Sequence, residues 1–215
     1  IWGFIPPDQL DRLQLLDNAD HDYFIDGSPS VYHGSSQKIM IIGERRGGQH
    51  YVALDITAHD APAWLYDIKP SILDPDPSND TDSYEMLGQS WGRAQPVAVA
   101  TDVTIDESVS PTCSVTVSNT VADVFLIPGG YDNNQDLDTP AATDAVGRAL
   151  FAVQVTDGQL ISGLNFNAVS HTSLGMTHSI VDVSGIDHDG DGIVSRIYAG
   201  DLGGNIFAFK DDVVM

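Results

Sequence analysis

The chain is poor in bases: nine Lys plus Arg stand against 31 Asp plus Glu, for a formal net charge of −22 over 215 residues. Readers of nucleic acid neutralise phosphates with clustered Lys and Arg, and docking on anionic lipid needs the same surface, so both classes are excluded. Glutamate is scarce as well. The acids are Asp apart from Glu44, Glu85 and Glu107, and because Asp favours turns and caps where Glu favours helix faces, many turns and few helices are expected. The single cysteine, Cys113, excludes an internal disulfide and a cysteine-built zinc cluster. Long apolar runs are missing too. The longest, such as Val97 to Ala100 and Val124 to Ile127, fall far short of the roughly 20 residues of a spanning helix, so no membrane insertion is expected. No basic and apolar leader opens the chain. Its start at Ile1 and its close at Met215, just after a strand-like run, read as an excised fragment.

What is present points to an all-β protein whose acids sit in loops. There are 20 Gly and 11 Pro, with Val, Ile and Thr gathered in short stretches. One helix of two or three turns is expected near the start, where Pro6 and Pro7 precede Asp8 and Leu10, Leu13 and Leu16 recur at helical spacing. Strands are expected at 23–25, 39–43, 51–55, 64–67, 97–100, 114–117, 124–127, 149–155, 180–183, 196–200 and 205–210. Two turn clusters, Asp74 to Asp80 and Asp132 to Asp136, read as insertions.

An internal repeat emerges when strand pairs are overlaid. Ile39 to Gly43, then Gly47-Gly48, then Tyr51 to Asp55 resembles Arg196 to Gly200, then Gly203-Gly204, then Asn205 to Phe209. Between them, Val124 to Gly130 is followed after an insertion by Gly147 to Val153. Glycine pairs admit the left-handed backbone of tight hairpins. Three such strand–turn–strand units suggest decorated blades of a β-propeller. A closed ring needs at least about four blades, so residues 1–215 read as one incomplete propeller domain.

One segment rises above the acidic background: Asp187-His188-Asp189-Gly190-Asp191-Gly192-Ile193-Val194-Ser195. Carboxylates at 187, 189 and 191 converge on one cation when the loop curls, Gly192 permits the sharp turn, the Ile193 carbonyl adds an oxygen, and Ser195 falls at the ninth loop position. Hard oxygen donors select Ca²⁺ over zinc. Tyr198 stands at the twelfth position in place of a bidentate Glu, and the flanks read as strands. This is a calcium loop set into a β-protein rather than an EF-hand, with His188 facing solvent between the ligands.

Other chemistry lacks its pattern. The seven histidines, at 21, 33, 50, 59, 171, 178 and 188, show no metal spacing. Ser28, Ser36, Ser90 and Ser173 lack a GxSxG context, and no Gly-Lys-Ser follows the Gly-rich turns. Trp2, Trp64 and Trp91 are expected to pack between strands. No catalytic constellation is present in the pattern, so the chain reads as a non-enzyme.

Several stretches resemble the C-terminal domain of PilY-type proteins, the type IV pilus biogenesis factors and tip-associated adhesins of bacteria. They are Trp2 to Pro7, His21 to Pro29, Tyr51 to Thr57, Leu87 to Arg93 and Asp187 to Phe209, in the expected order over most of the chain. The resemblance implies a modified propeller of the quinoprotein-like fold carrying calcium, at the cell surface or pilus tip. It also implies that calcium occupancy governs pilus extension against retraction, with pilins or minor pilins, and a host or abiotic surface, as partners. The metal positions carry over to Asp187, Asp189, Asp191, the Ile193 carbonyl and Ser195. Ser195 departs from the family, which usually has Asp there, and a neutral hydroxyl weakens the site or recruits a bridging water. No Arg-Gly-Asp tripeptide occurs.

The leading expectation is a calcium-binding propeller module regulating pilus assembly and surface attachment. The alternative from the enzyme class is a quinoprotein dehydrogenase fragment, whose blades share the hairpin pattern but which would need quinone ligands and an adjacent cysteine pair. A carbohydrate-binding propeller is a third reading.

Overall fold

The computed structural model describes residues 1–17, 22–70, 73, 84–101, 103–106, 114–117, 120–161, 164–169, 171–210 and 213–214. The Asp74–Asp80 cluster, Cys113 and His21 lie outside them.

Strands β1 (Ser30–His33), β2 (Lys38–Gly43), β3 (Tyr51–Asp55) and β4 (Ala63–Ile68) pair in chain order as an antiparallel meander. A second four-stranded sheet joins β5 (Gln95–Ala100) to β8 (Val121–Pro128), β9 (Ala149–Gln154) and β10 (Phe166–Asn167). The hairpin of β6 (Val103–Asp106) and β7 (Ser114–Val117) is inserted between β5 and β8, with Val103 opposite Val117. The third sheet is the meander β11 (Ile180–Ile186), β12 (Arg196–Asp201), β13 (Ile206–Lys210) and β14 (Val213–Val214). All three repeated units of the sequence are thus the central hairpins of the three four-stranded sheets: β2–β3, β8–β9 and β12–β13.

The middle sheet is covered on both faces, and its sequence says why. Phe125, Ile127, Phe151 and Val153 join Ile39, Ile41, Tyr51 and Ile68 of the first sheet in one core cluster. Their neighbours Val124, Leu126, Leu150 and Ala152 point the other way, into a second cluster with Ile180, Ile197, Ala199 and Phe209 of the third sheet. A strand buried on both faces must be apolar at every position. Residues 124–127 and 149–153 are accordingly an unbroken buried run. In the first sheet β2 alternates instead, with Ile39, Ile41 and Gly43 buried and Lys38, Met40 and Ile42 less so.

Three details need correction. The expected N-terminal helix is present over Pro7–Asp17, in 3-10 form. Its leucines do not form a buried stripe: Leu10 and Leu16 are exposed, and Gln9 is the buried side chain. Residues 23–25 form no strand, because the Tyr23 carbonyl is taken by Arg12 and the Phe24 backbone lies flush on Gly47, where a Cβ would overlap the Phe24 oxygen. Trp2 and Trp64 are exposed rather than packed between strands, with the Trp2 indole donating to the His59 carbonyl. Trp91 is half-buried in a stack, 4.9 Å from the Tyr131 ring and under the Arg45 guanidinium.

Candidate metal centre

The nine residues 187–195 connect β11 to β12, whose pairing ends at Ile186 opposite Arg196. The Ser195 N–H donates to the Ile186 carbonyl at 3.0 Å and closes the loop at its base. Two contacts fix that base to the middle sheet. Val194 N–H donates to the Ala98 carbonyl at 2.8 Å, and the Gln95 amide brackets Gly185, accepting from its N–H at 2.7 Å and donating to its carbonyl at 3.3 Å. The loop therefore stands on β5 as well as on its own hairpin.

Inside the loop the backbone gathers the acids. Asp187 accepts from the N–H of Gly190 at 2.7 Å with one oxygen and from the N–H of Gly192 at 2.8 Å with the other. Asp191 accepts from the Ile193 N–H at 2.8 Å. These turns need Gly190 and Gly192 at φ 81° and 90°, a left-handed region costly for residues with a Cβ. A ligand oxygen from each of Asp187, Asp189 and Asp191 lies within 4.8 Å of the others, with all three residues exposed. The donated N–H groups of Gly192 and Gly190 hold the Asp187 carboxyl below its ordinary range.

Three carboxylates that close repel one another unless a cation sits among them, and an all-oxygen donor set suits a hard divalent ion. The donor chemistry thus fits the expected Ca²⁺. The spacing also brings the remaining expected residues to the same loop. Ile193 is half-buried there, and the half-buried Ser195 uses its hydroxyl to accept from the His188 N–H at 3.1 Å, a bond that ties the two ends of the loop together. His188 itself is exposed.

Elsewhere two acids of the segment between β8 and β9 are buried and structural. Asp132 caps the 3-10 turn Asn133–Asp136 through the Asn134 N–H and also accepts from the N–H groups of Ala145 and Val146. Asp144, 1% exposed, binds Asn134, Gln135 and Ser179. A local signal existed for Asp132, which precedes a turn at an Asx-capping position. None marked Asp144, whose partners Asn134 and Gln135 lie back along the same loop and whose partner Ser179 lies 35 residues on.

No family model matches the chain. It is 24% identical over 222 aligned positions to a type IV pilus biogenesis factor PilY1 homolog of Xylella fastidiosa, covering 97% of this chain and 12% of that protein. To the type IV pilus biogenesis factor PilY1 of Pseudomonas aeruginosa it is 25% identical over 217 positions, covering 97% of this chain and 15% of that one. The chain therefore spans well under a fifth of the length of these curated relatives. The crystal structure of the Pseudomonas aeruginosa PilY1 C-terminal domain superposes on 97% of it with a TM-score of 0.60 at 20% identity, using 34% of that domain. The resemblance to PilY-type pilus biogenesis factors carried by the sequence motifs thus extends, in sequence and in fold, across nearly the whole chain.

Proposed function

We propose that this chain is a calcium-binding β-propeller module of a type IV pilus biogenesis and tip-adhesin protein, acting in pilus extension and retraction and in surface attachment. The observation that carries the reading is the gathering of three carboxylates within 4.8 Å on one hairpin loop, in a chain similar over 97% of its length to type IV pilus biogenesis factors. The three four-stranded meanders, stacked through two apolar interfaces, support their identity as propeller blades.

Asp187, Asp189, Asp191, the Ile193 carbonyl and Ser195 hold the ion. Bound Ca²⁺ supplies two positive charges that offset the mutual repulsion of the carboxylates. The chain does the rest: Gly190 and Gly192 orient Asp187, the Ile193 N–H orients Asp191, and the bond between Ser195 and the His188 N–H keeps the loop ends together. Because Val194 and Gly185 are bonded to β5, an ion ordering the loop also stiffens the junction between the second and third sheets. Partners are pilins or minor pilins, with a host or abiotic surface as the adhesion target, and the location is the cell surface at the pilus tip or outer membrane. The module is not an enzyme in this reading.

Calcium titration calorimetry on the intact protein tests the site. Binding is expected in the native chain and absent in Asp187→Ala and Asp191→Ala; unchanged affinity in both variants refutes the site. Capture of pilins or minor pilins with and without calcium tests the role, and calcium binding with no retained pilus component refutes it.

A further inference from the structure

We propose that Gln95 of β5 is the positioning residue through which occupancy of the carboxylate loop is passed to the second sheet and to the cleft at its seam with the third. The proposal rests on the calcium reading of that loop and names the strand that the loop regulates. Gly185, two residues before Asp187, stands opposite Ile197 in the register of β11 and β12. Its N–H and carbonyl turn to the other edge of β11, which no strand pairs, and the Gln95 side chain takes both. Oε1 accepts from the N–H at 2.7 Å and Nε2 donates to the carbonyl at 3.3 Å. A primary amide carries an acceptor and a donor in one plane, as a peptide group does. Gln95 therefore meets Gly185 as the backbone of a neighbouring strand would, and one side chain joins the two sheets.

The contact sits where it governs the loop. Three residues along β5, the Ala98 carbonyl accepts the Val194 N–H at 2.8 Å, so the loop is gripped just before Asp187 and again just before Ser195. Between the two grips the Ser195 N–H closes on the Ile186 carbonyl at 3.0 Å. Gly185 suits its place because it has no side chain. A Cβ there would lie 3.0 Å from Leu126 Cδ1 and from Val194 Cγ2, and in a close-packed seam those neighbours would have to give way. Glycine thus keeps the β11 backbone within reach of Gln95. Asp187 follows by two residues, so the amide that fixes Gly185 also fixes where the first carboxylate of the loop starts from.

Gln95 is also part of the wall of a cleft of about 450 Å³ at the seam, lined by Arg93 and Pro96 from the second sheet's side and by Asp182 and Ser184 from β11. The same residue therefore meets the base of the loop and the cleft. With the three carboxylates held together, the loop keeps one arrangement, and that order reaches Gly185, then Gln95, then β5 and the cleft wall. Such coupling is reciprocal: what ion binding gives to β5, an ordered β5 gives back to ion binding. Without the amide the loop retains its internal bonds from Gly190, Gly192 and Ile193. What it loses is its hold on β5 at Gly185, with two backbone groups left without their partners.

Calcium titration calorimetry and hydrogen–deuterium exchange on the intact protein, native and Gln95→Met, test the coupling. Methionine keeps the length of the side chain and removes its donor and its carbonyl acceptor. In the native chain calcium is expected to raise the protection of amides 97–100 at least about fivefold, with β2 unmoved. In Gln95→Met the affinity for calcium is expected to fall about tenfold, as for other outer-shell partners of metal ligands. The gain at 97–100 is expected to vanish there while 187–195 still gains protection. A merely structural amide would lower the melting temperature equally with and without calcium and leave both the affinity and the gain intact, and that result overturns the proposal. So does a native β5 that does not respond to bound calcium, which decides the matter should Gln95→Met not fold. A gain at 97–100 that persists in Asp187→Ala comes from another ion and overturns it as well. A native chain that binds no calcium overturns the calcium reading itself, and the coupling falls with it.

Discussion

Asp144 and Ser179 meet across 35 residues of chain, with Asp144 Oδ2 accepting both the Ser179 N–H at 2.7 Å and its hydroxyl at 2.9 Å. The carboxylate sits in the loop between β8 and β9, and the serine stands just before β11. One buried acid thereby joins the second sheet's connecting loop to the start of the third sheet, on which the carboxylate loop is built.

Removing that link is expected to cost stability. Asp144→Ala strands the N–H groups of Ser179, Asn134 and Gln135 without an acceptor, and a loss of about 3 kcal/mol is expected in urea denaturation. Burial pushes the Asp144 carboxyl up, but hydrogen bonds from Asn134, Gln135 and Ser179 outweigh it, and the group ends below its ordinary range. A depressed carboxylate stabilises the fold above its unfolded pKa, and that contribution is lost as pH falls through the folded value. The native chain should therefore lose stability in acid more steeply than Asp144→Ala, which a melting series from pH 5 down to pH 2.5 measures.

Calcium is expected to raise the melting temperature of the native chain and to leave Asp187→Ala unchanged. At free calcium one hundred times Kd the stabilisation is about 2.7 kcal/mol, read by differential scanning calorimetry with and without chelator.

In the proposed calcium site the ninth loop position carries a neutral hydroxyl, that of Ser195. Ser195→Asp adds a fourth carboxylate to the cluster of Asp187, Asp189 and Asp191, and a tightening of about tenfold is expected, since calcium affinity follows ligand charge. The Asp side chain can still accept from the His188 N–H that Ser195 holds. Titration calorimetry at fixed ionic strength checks this, with unchanged affinity excluding a role for position 195.

Phe151 is 1% exposed and meets Tyr84 edge-on at 5.4 Å, in the cluster that joins the first and second sheets. Phe151→Ala should cost about 3–5 kcal/mol, the ordinary penalty for truncating a buried ring. Chemical denaturation is the readout.

The sequence by itself determined the class and the repeated unit. Hairpin turns and strand alternation are local properties, so the central pairs β2–β3, β8–β9 and β12–β13 were legible from glycine pairs flanked by β-branched and apolar runs. The carboxylate loop was legible for the same reason, since its three acids, its two glycines and the bonds that curl it lie within nine residues. The tertiary structure alone decided the shortest edges. β1, β10 and β14 are two to four residues long and exist by pairing with a neighbour, so no periodicity announces them. It also decided which acids leave water. Among 28 look-alike Asp and three Glu, Asp144 and Glu44 are buried because donors from residues 134, 135, 179 and 9 converge on them. A carboxylate is desolvated by neighbours that only the packed fold supplies.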